Sequence, residues 1–212
     1  MKLKLYSYWR SSCSWRVRLA LGFKGLEFDI IPIHLVKNGG EQFSEEYEHL
    51  NPMNQVPTLV LEDGRLLTQS IAIIEFLEES FPSPALLPKH PYHRAKMREL
   101  VEIINSGIQP AQNLSLLLQL EKLQAGSKLA WGKTVIEKGL VALETKSVET
   151  SGRFLIGDQF TIADCCLIPQ LYNARRFNCD LTLFPTLLKV EAHCQQLNFY
   201  TQAHPDSQID AQ

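Results

Sequence analysis

The chain has 212 residues, 45% hydrophobic and 21% charged, with 21 basic side chains against 23 acidic ones. That make-up is ordinary for a globular protein with a real core. Without a basic stripe it argues against nucleic-acid binding, which rests on neutralised phosphates. No apolar run approaches the ~20 residues of a membrane span, and Met1 leads directly into a strand-like alternation with no signal peptide. The five cysteines (Cys13, Cys165, Cys166, Cys179, Cys194) show no paired metal spacing, so free thiols in a reducing compartment, the cytoplasm by default, are expected. The histidines show no ligand spacing either, and no metal is expected.

In chain order, Leu3, Leu5 and Ser7 alternate with Lys2, Lys4 and Tyr6, a period of two that predicts a strand. From Cys13 the spacing of Val17, Ala20 and Leu21 becomes helical, with Gly25 as the stop. Residues 28–33 predict a second strand. Residues 58–62 and 65–68 flank Asp63-Gly64, a strong hairpin signal. Ser70 is placed as the N-cap of a helix carrying Ile74, Leu77 and Phe81. A parallel β-α-β unit followed by a hairpin and a closing helix is a thioredoxin-like arrangement.

The four prolines between residues 81 and 91 read as a linker. The expected division is a thioredoxin-like α/β domain over 1–82, a linker over 83–91, and an all-α domain over 92–212. In the latter, Leu100, Ile103, Ile104, Gly107, Ile108 and Ala111 form one stripe, which Pro110 should kink. Further helices are expected over about 128–148, after a capping box at Thr161–Asp164, and after Pro185. The polar tail from Thr201 is expected to lie extended over the surface.

The chemistry concentrates in Ser11-Ser12-Cys13-Ser14-Trp15-Arg16-Val17-Arg18, where the first strand gives way to the first helix. Unpaired amides and the helix dipole there favour negative charge, so a thiol held at this turn ionises below its usual pKa of about 8.5. Two thiols are candidates. One is Cys13. The other is an external thiol receiving a hydrogen bond from Ser11 or Ser12. A dithiol cycle is disfavoured, because the second position of a Cys-x-x-Cys motif is Arg16. The bland alternative is that these serines only cap the helix.

This segment resembles the signature of the zeta class of glutathione transferases. The resemblance continues through residues 37–44, 50–59, 69–77, 107–115, 163–170 and 173–177, nearly the whole chain. It implies glutathione transferase architecture, a homodimer, glutathione as cofactor and a small dicarboxylate as substrate. By this resemblance Ser11 and Cys13 would be catalytic, with Ser12, Ser14, Trp15 and Arg16 completing the first-turn part of the glutathione pocket. Val56, before a cis-like Pro57, would pair with the cysteinyl backbone of glutathione. Gln69 and Ser70 would hold its γ-glutamyl carboxylate, and Gln42 its glycyl end. Gln109, Asn113, Leu114 and Ser115 would reach the ligand from the helical domain. Arg176, with Arg16 and Arg10, would bind substrate carboxylates.

The implied reaction is isomerisation of maleylacetoacetate to fumarylacetoacetate, by thiolate addition, bond rotation and elimination, in phenylalanine and tyrosine catabolism. Maleylpyruvate isomerisation, or conjugation of small electrophiles such as α-haloacids, are the alternatives. Two departures stand out. Ile209 occupies a position where the family tends to have proline, and Arg175 adds a charge beside Arg176.

Overall fold

The computed structural model describes residues 2–212. They divide into two compact units. The first comprises residues up to Ala85 together with Leu197–Gln212, and the second runs from Leu86 to Gln196. The last sixteen residues therefore belong with the first unit and not, as the expected boundary had it, with the helical domain.

In the first unit, β1 (Leu3–Ser7), α1 (Ser12–Phe23) and β2 (Phe28–Pro32) form the β-α-β unit. A short helix α2 (Glu45–Leu50), the hairpin β3 (Thr58–Val60) and β4 (Leu66–Thr68), and α3 (Ser70–Ser80) follow. The sheet order is β2-β1-β3-β4. β1 pairs parallel with β2 (Leu5 opposite Ile30) and antiparallel with β3 (Leu5 opposite Leu59). The alternation of β1 buries Leu3, Leu5 and Ser7 and leaves Lys4 exposed, as a half-covered strand requires. Gly64 turns the hairpin at φ +86°, a conformation that disfavours a side chain. This is the thioredoxin-like half of a glutathione transferase fold.

Helix α1 is buried from Ser14 to Leu21, more completely than one sheet could achieve. Its other side is covered by the tail, which is not extended. Residues Asn198–Ala203 form a helix, followed by a 3₁₀ turn over Pro205–Ser207. Phe199 packs so closely on Gly22 that a Cβ there would lie 2.9 Å from the phenylalanine Cβ. Trp15 stacks obliquely on Tyr200 and edge-on to His204. Ile209, where proline was expected, is 76% exposed and takes no part in this packing. Lys24, at the end of α1, donates to Glu78 (2.7 Å) and to the carbonyls of Phe81 (2.6 Å) and Pro84 (3.0 Å).

The second unit contains α4 (Pro91–Glu102), α5 (Leu114–Leu123), α6 (Ser127–Ser147), α7 (Ile162–Arg176) and α8 (Pro185–Cys194); the tail helix is α9. α4 widens into a π-helical turn over Ile103–Ile108, where the Gln109 amide bonds the Ile104 carbonyl (2.8 Å). Wider winding shifts the stripe, so Ile104 and Ile108 stay buried while Gly107 turns outward. The distortion thus begins a full turn before Pro110, which starts a separate 3₁₀ turn.

Gly132 and Gly139 share one face of α6. A Cβ at either would fall within 2.3 Å of Phe177 or 2.2 Å of Ile108 respectively, so both permit close packing. The capping box of α7 forms as expected. Asp164 accepts from the amides of Leu155 (2.9 Å) and Thr161 (2.7 Å), yet complete burial still pushes its carboxyl up to about 6. Cys165, Cys166 and Cys194 are buried, and burial raises the thiols of Cys165, Cys179 and Cys194. No helix among the described residues is long and apolar enough to cross a membrane.

Candidate active site

The turn from β1 into α1 runs through Tyr8, Trp9 and Arg10 to Ser11, the N-cap. The Ser11 amide bonds the Tyr8 carbonyl (3.0 Å), its carbonyl receives the Trp15 amide (2.9 Å), and its side chain accepts from the Ser14 amide (3.2 Å). A hydroxyl that accepts with one lone pair keeps its proton to donate. The amides of Ser12 and Cys13 lie in the first helical turn, where the helix offers no carbonyl to bond. Ser11, Ser12 and Cys13 are all partly exposed. A hydroxyl donor, two first-turn amides and a free thiol therefore share one accessible helix start.

The next three residues face inward. Ser14, Trp15 and Arg16 are 0%, 2% and 1% exposed, their side chains set into the packing behind the turn. Arg16 has a role from behind. Its Nη1 donates to Ser70 Oγ (3.3 Å), joining the first turn of α1 to the first turn of α3. The Arg16 guanidinium is turned toward Ser70 rather than toward solvent.

At the start of α3, the cap is Gln69 and not Ser70, which is the first helical residue. Gln69 has φ +69°, a left-handed conformation uncommon for a side-chain-bearing residue, and is exposed. Departures of this kind cluster at functional sites. Val56 is buried and joined to Pro57 by a cis peptide bond. The loop before it is pinned at the Gln55 carbonyl by Tyr47 Oη and Asn51 Nδ2, both at 2.7 Å. Gln42 is buried, its Nε2 donating weakly to the Leu35 carbonyl (3.4 Å), and its Oε1 has no donor within the protein. An acceptor buried without a partner costs about 1–3 kcal/mol, and a ligand N–H would remove that cost. Arg10 is partly exposed, its guanidinium 5.2 Å from the Trp9 ring.

The other expected residues belong to the helical unit. Gln109 ends the π-helical turn, and Asn113 caps α5, its side chain accepting from the Ser115 amide (3.4 Å). Leu114 is the first residue of α5 and Ser115 is exposed. Behind them Gln112 and Gln170 form a buried reciprocal amide pair (2.7 and 3.2 Å). Arg176 is exposed and donates to Asn173 Oδ1 (3.2 Å). Its neighbour Arg175 is taken up by a two-pronged bond to Glu191 (2.7 and 2.5 Å), so the extra charge has a structural use.

What sequence reasoning missed is Arg18. It is 1% exposed and donates to Ser7 Oγ (3.0 Å) and to the carbonyls of Trp9 (2.8 Å) and Ala203 (3.0 Å). Burial depresses it to about 9, with Asp210 opposing the shift. The only signal was an arginine three residues after Trp15, among the apolar residues Val17, Leu19, Ala20 and Leu21.

Residues 10–80 match the model of the glutathione S-transferase N-terminal domain. The chain is 47% identical over 206 residues to maleylacetoacetate isomerase of Mus musculus, covering 97% of this chain and 94% of that protein. The chain belongs to the zeta-class glutathione transferases, the family of the maleylacetoacetate isomerases. Among solved zeta-class relatives, maleylacetoacetate isomerase of Anaeromyxobacter dehalogenans, with glutathione bound in its active site, superposes with a TM-score of 0.92 at 50% identity. It covers 100% of this chain and 98% of its own. A bacterial maleylpyruvate isomerase of the zeta class reaches a TM-score of 0.94 at 38% identity, covering 99% of this chain and all of its own.

Proposed function

We propose that this chain is a glutathione-dependent cis–trans isomerase converting maleylacetoacetate to fumarylacetoacetate, acting as a cytoplasmic homodimer in phenylalanine and tyrosine catabolism. The observation that carries the reading is Ser11 at the cap of α1, with its proton left to donate beside two first-turn amides.

The residues fit glutathione by the chemistry of their donors. The start of α3, with Gln69 and with Ser70 braced by Arg16, suits a carboxylate at a helix N-terminus. Gln42 Oε1 suits a peptide N–H at the other end, and the Val56 backbone suits strand-like pairing with the peptide between them. When bound, glutathione supplies the sulfur nucleophile that adds to the double bond and departs after rotation. Ser11 donates to that sulfur and favours its ionised form. The dipole of α1 and the amides of Ser12 and Cys13 act in the same sense. Cys13, free and partly exposed in the same turn, would lie close to the bound thiol. Arg176 and Arg10 hold substrate carboxylates and stabilise charge spreading away from the reacting carbon.

The test follows the absorbance of maleylacetoacetate with catalytic glutathione, and titrates free thiol before and after. Many turnovers per glutathione with no loss of thiol support isomerisation. Stoichiometric loss of thiol identifies a conjugating transferase instead. Maleylpyruvate as preferred substrate is the second reading, favoured by the likeness to the maleylpyruvate isomerase, and is decided by comparing kcat/KM for the two substrates.

A further inference from the structure

The bend that delivers Ser11 is gripped from the far end of the chain. Asp210 Oδ2 accepts from the Trp9 amide (3.0 Å), across 201 residues of sequence. Arg18 Nη2 donates to the carbonyl of the same residue (2.8 Å), and Nη1 reaches the Tyr8 carbonyl (3.5 Å). Both backbone polar groups of Trp9 are thus fixed by charged side chains, two residues before Ser11. Arg18 also donates through Nε to the Ala203 carbonyl in α9 (3.0 Å), so one guanidinium ties bend and tail together. α9 meets α1 at Trp15, Arg18 and Gly22, spaced by three and four residues on one face, through a ring contact, this hydrogen bond and the close packing of Phe199. The Asp210 carboxylate acts favourably on Arg18, so the arrangement is coupled.

We propose that the C-terminal tail is a positioning element of the glutathione site, in which Asp210 and Arg18 clamp the Tyr8–Trp9 backbone and thereby fix Ser11 and the first turn of α1. The inference rests on the reading of that turn as the glutathione site. Asp210 acts through the backbone and touches no reacting atom. Small displacements of an aligned donor carry large costs, about a hundredfold per ångström in favourable cases, which is why a bend built only from turn residues needs such support.

The experiment compares full-length wild type, Asp210→Ala and Asp210→Asn. Asparagine keeps an acceptor for the Trp9 amide; alanine removes it. KM for glutathione, KM for maleylacetoacetate, kcat and the unfolding midpoint are measured on each. In Asp210→Ala, KM for glutathione is expected to rise about tenfold, the size of one lost charge-assisted hydrogen bond. KM for maleylacetoacetate should stay within about twofold, and Asp210→Asn should recover most of the loss. Unchanged glutathione KM in Asp210→Ala overturns the clamp. So does a parallel rise in both KM values, or an asparagine variant no better than alanine. Hydrogen exchange across residues 8–12, read without any ligand, should be faster in Asp210→Ala than in wild type. If wild type shows no glutathione-dependent turnover the functional reading fails, and this exchange result alone then upholds or overturns the clamp.

Discussion

Two pairs of arginines divide the work of this molecule between inside and outside. Arg16 and Arg18 lie two apart on α1 and are both 1% exposed. Arg175 and Arg176 lie side by side at the end of α7 and are both exposed. The inner pair spends its donors on protein oxygens: Ser70 for Arg16, and Ser7, Trp9 and Ala203 for Arg18. The outer pair splits, one bound two-pronged to Glu191 and the other set at the surface beside Asn173. Position on a helix, and not charge, thus decides whether an arginine braces buried structure or stands at the surface. Burying Arg18 is offset by the carbonyls and hydroxyl that take up its donors.

The comparison can be broken most severely at Arg18. Arg18→Met retains volume but strips donors from several buried oxygens, and a loss of about 3–5 kcal/mol in unfolding free energy is expected, measured by denaturant titration. Ser11→Ala should leave the fold largely intact, costing about 1 kcal/mol for the lost cap. It should lower kcat/KM by about a hundredfold, as expected for removing a donor aimed at developing charge. Retention of full activity by the Ser11 variant would remove that serine from the mechanism. Arg176→Gln sharpens the contrast, since it should raise KM for the dicarboxylate about tenfold, leave KM for glutathione unchanged and be partly repaired by lysine. The smallest effect is expected for Arg175→Gln. The pair is about half exposed on the arginine side, so solvent screening limits its loss to about 1 kcal/mol, with kinetics unchanged.

These contrasts also show which parts were legible in the sequence. Periodicity found β1, which buries alternate residues, and the hairpin was legible from Asp63-Gly64 at its turn. The helix start at Ser11 was readable for the same local reason. Ser70 was placed one residue late, since serine is an ordinary cap whereas Gln69 in a left-handed conformation has no sequence mark. The kink near Pro110 was anticipated but its origin was not: the π-helical turn starts at Ile103 and runs through Asn105, Ser106 and Gly107, weak helix formers that loosen a helix without marking which winding results. Most opaque was the tail. A polar stretch reads as solvated, and neither Asp210 nor Gln208, which bonds the carbonyls of Gln202 and His204, advertises a partner so distant in the chain. Arg16 carried the motif but not its burial, so its role as a brace for Ser70 emerged only from the fold.

The first unit takes residues from both ends of the chain, with the helical unit inserted between them. In synthesis order β1 and α1 precede the whole helical unit, and α9 and Asp210 follow it. Until the tail arrives, Arg18 Nε and the amide of Trp9 must bond water, because their partners are Ala203 and Asp210. The bend that presents Ser11 is therefore completed only after the helical unit has had the whole of its sequence available to fold.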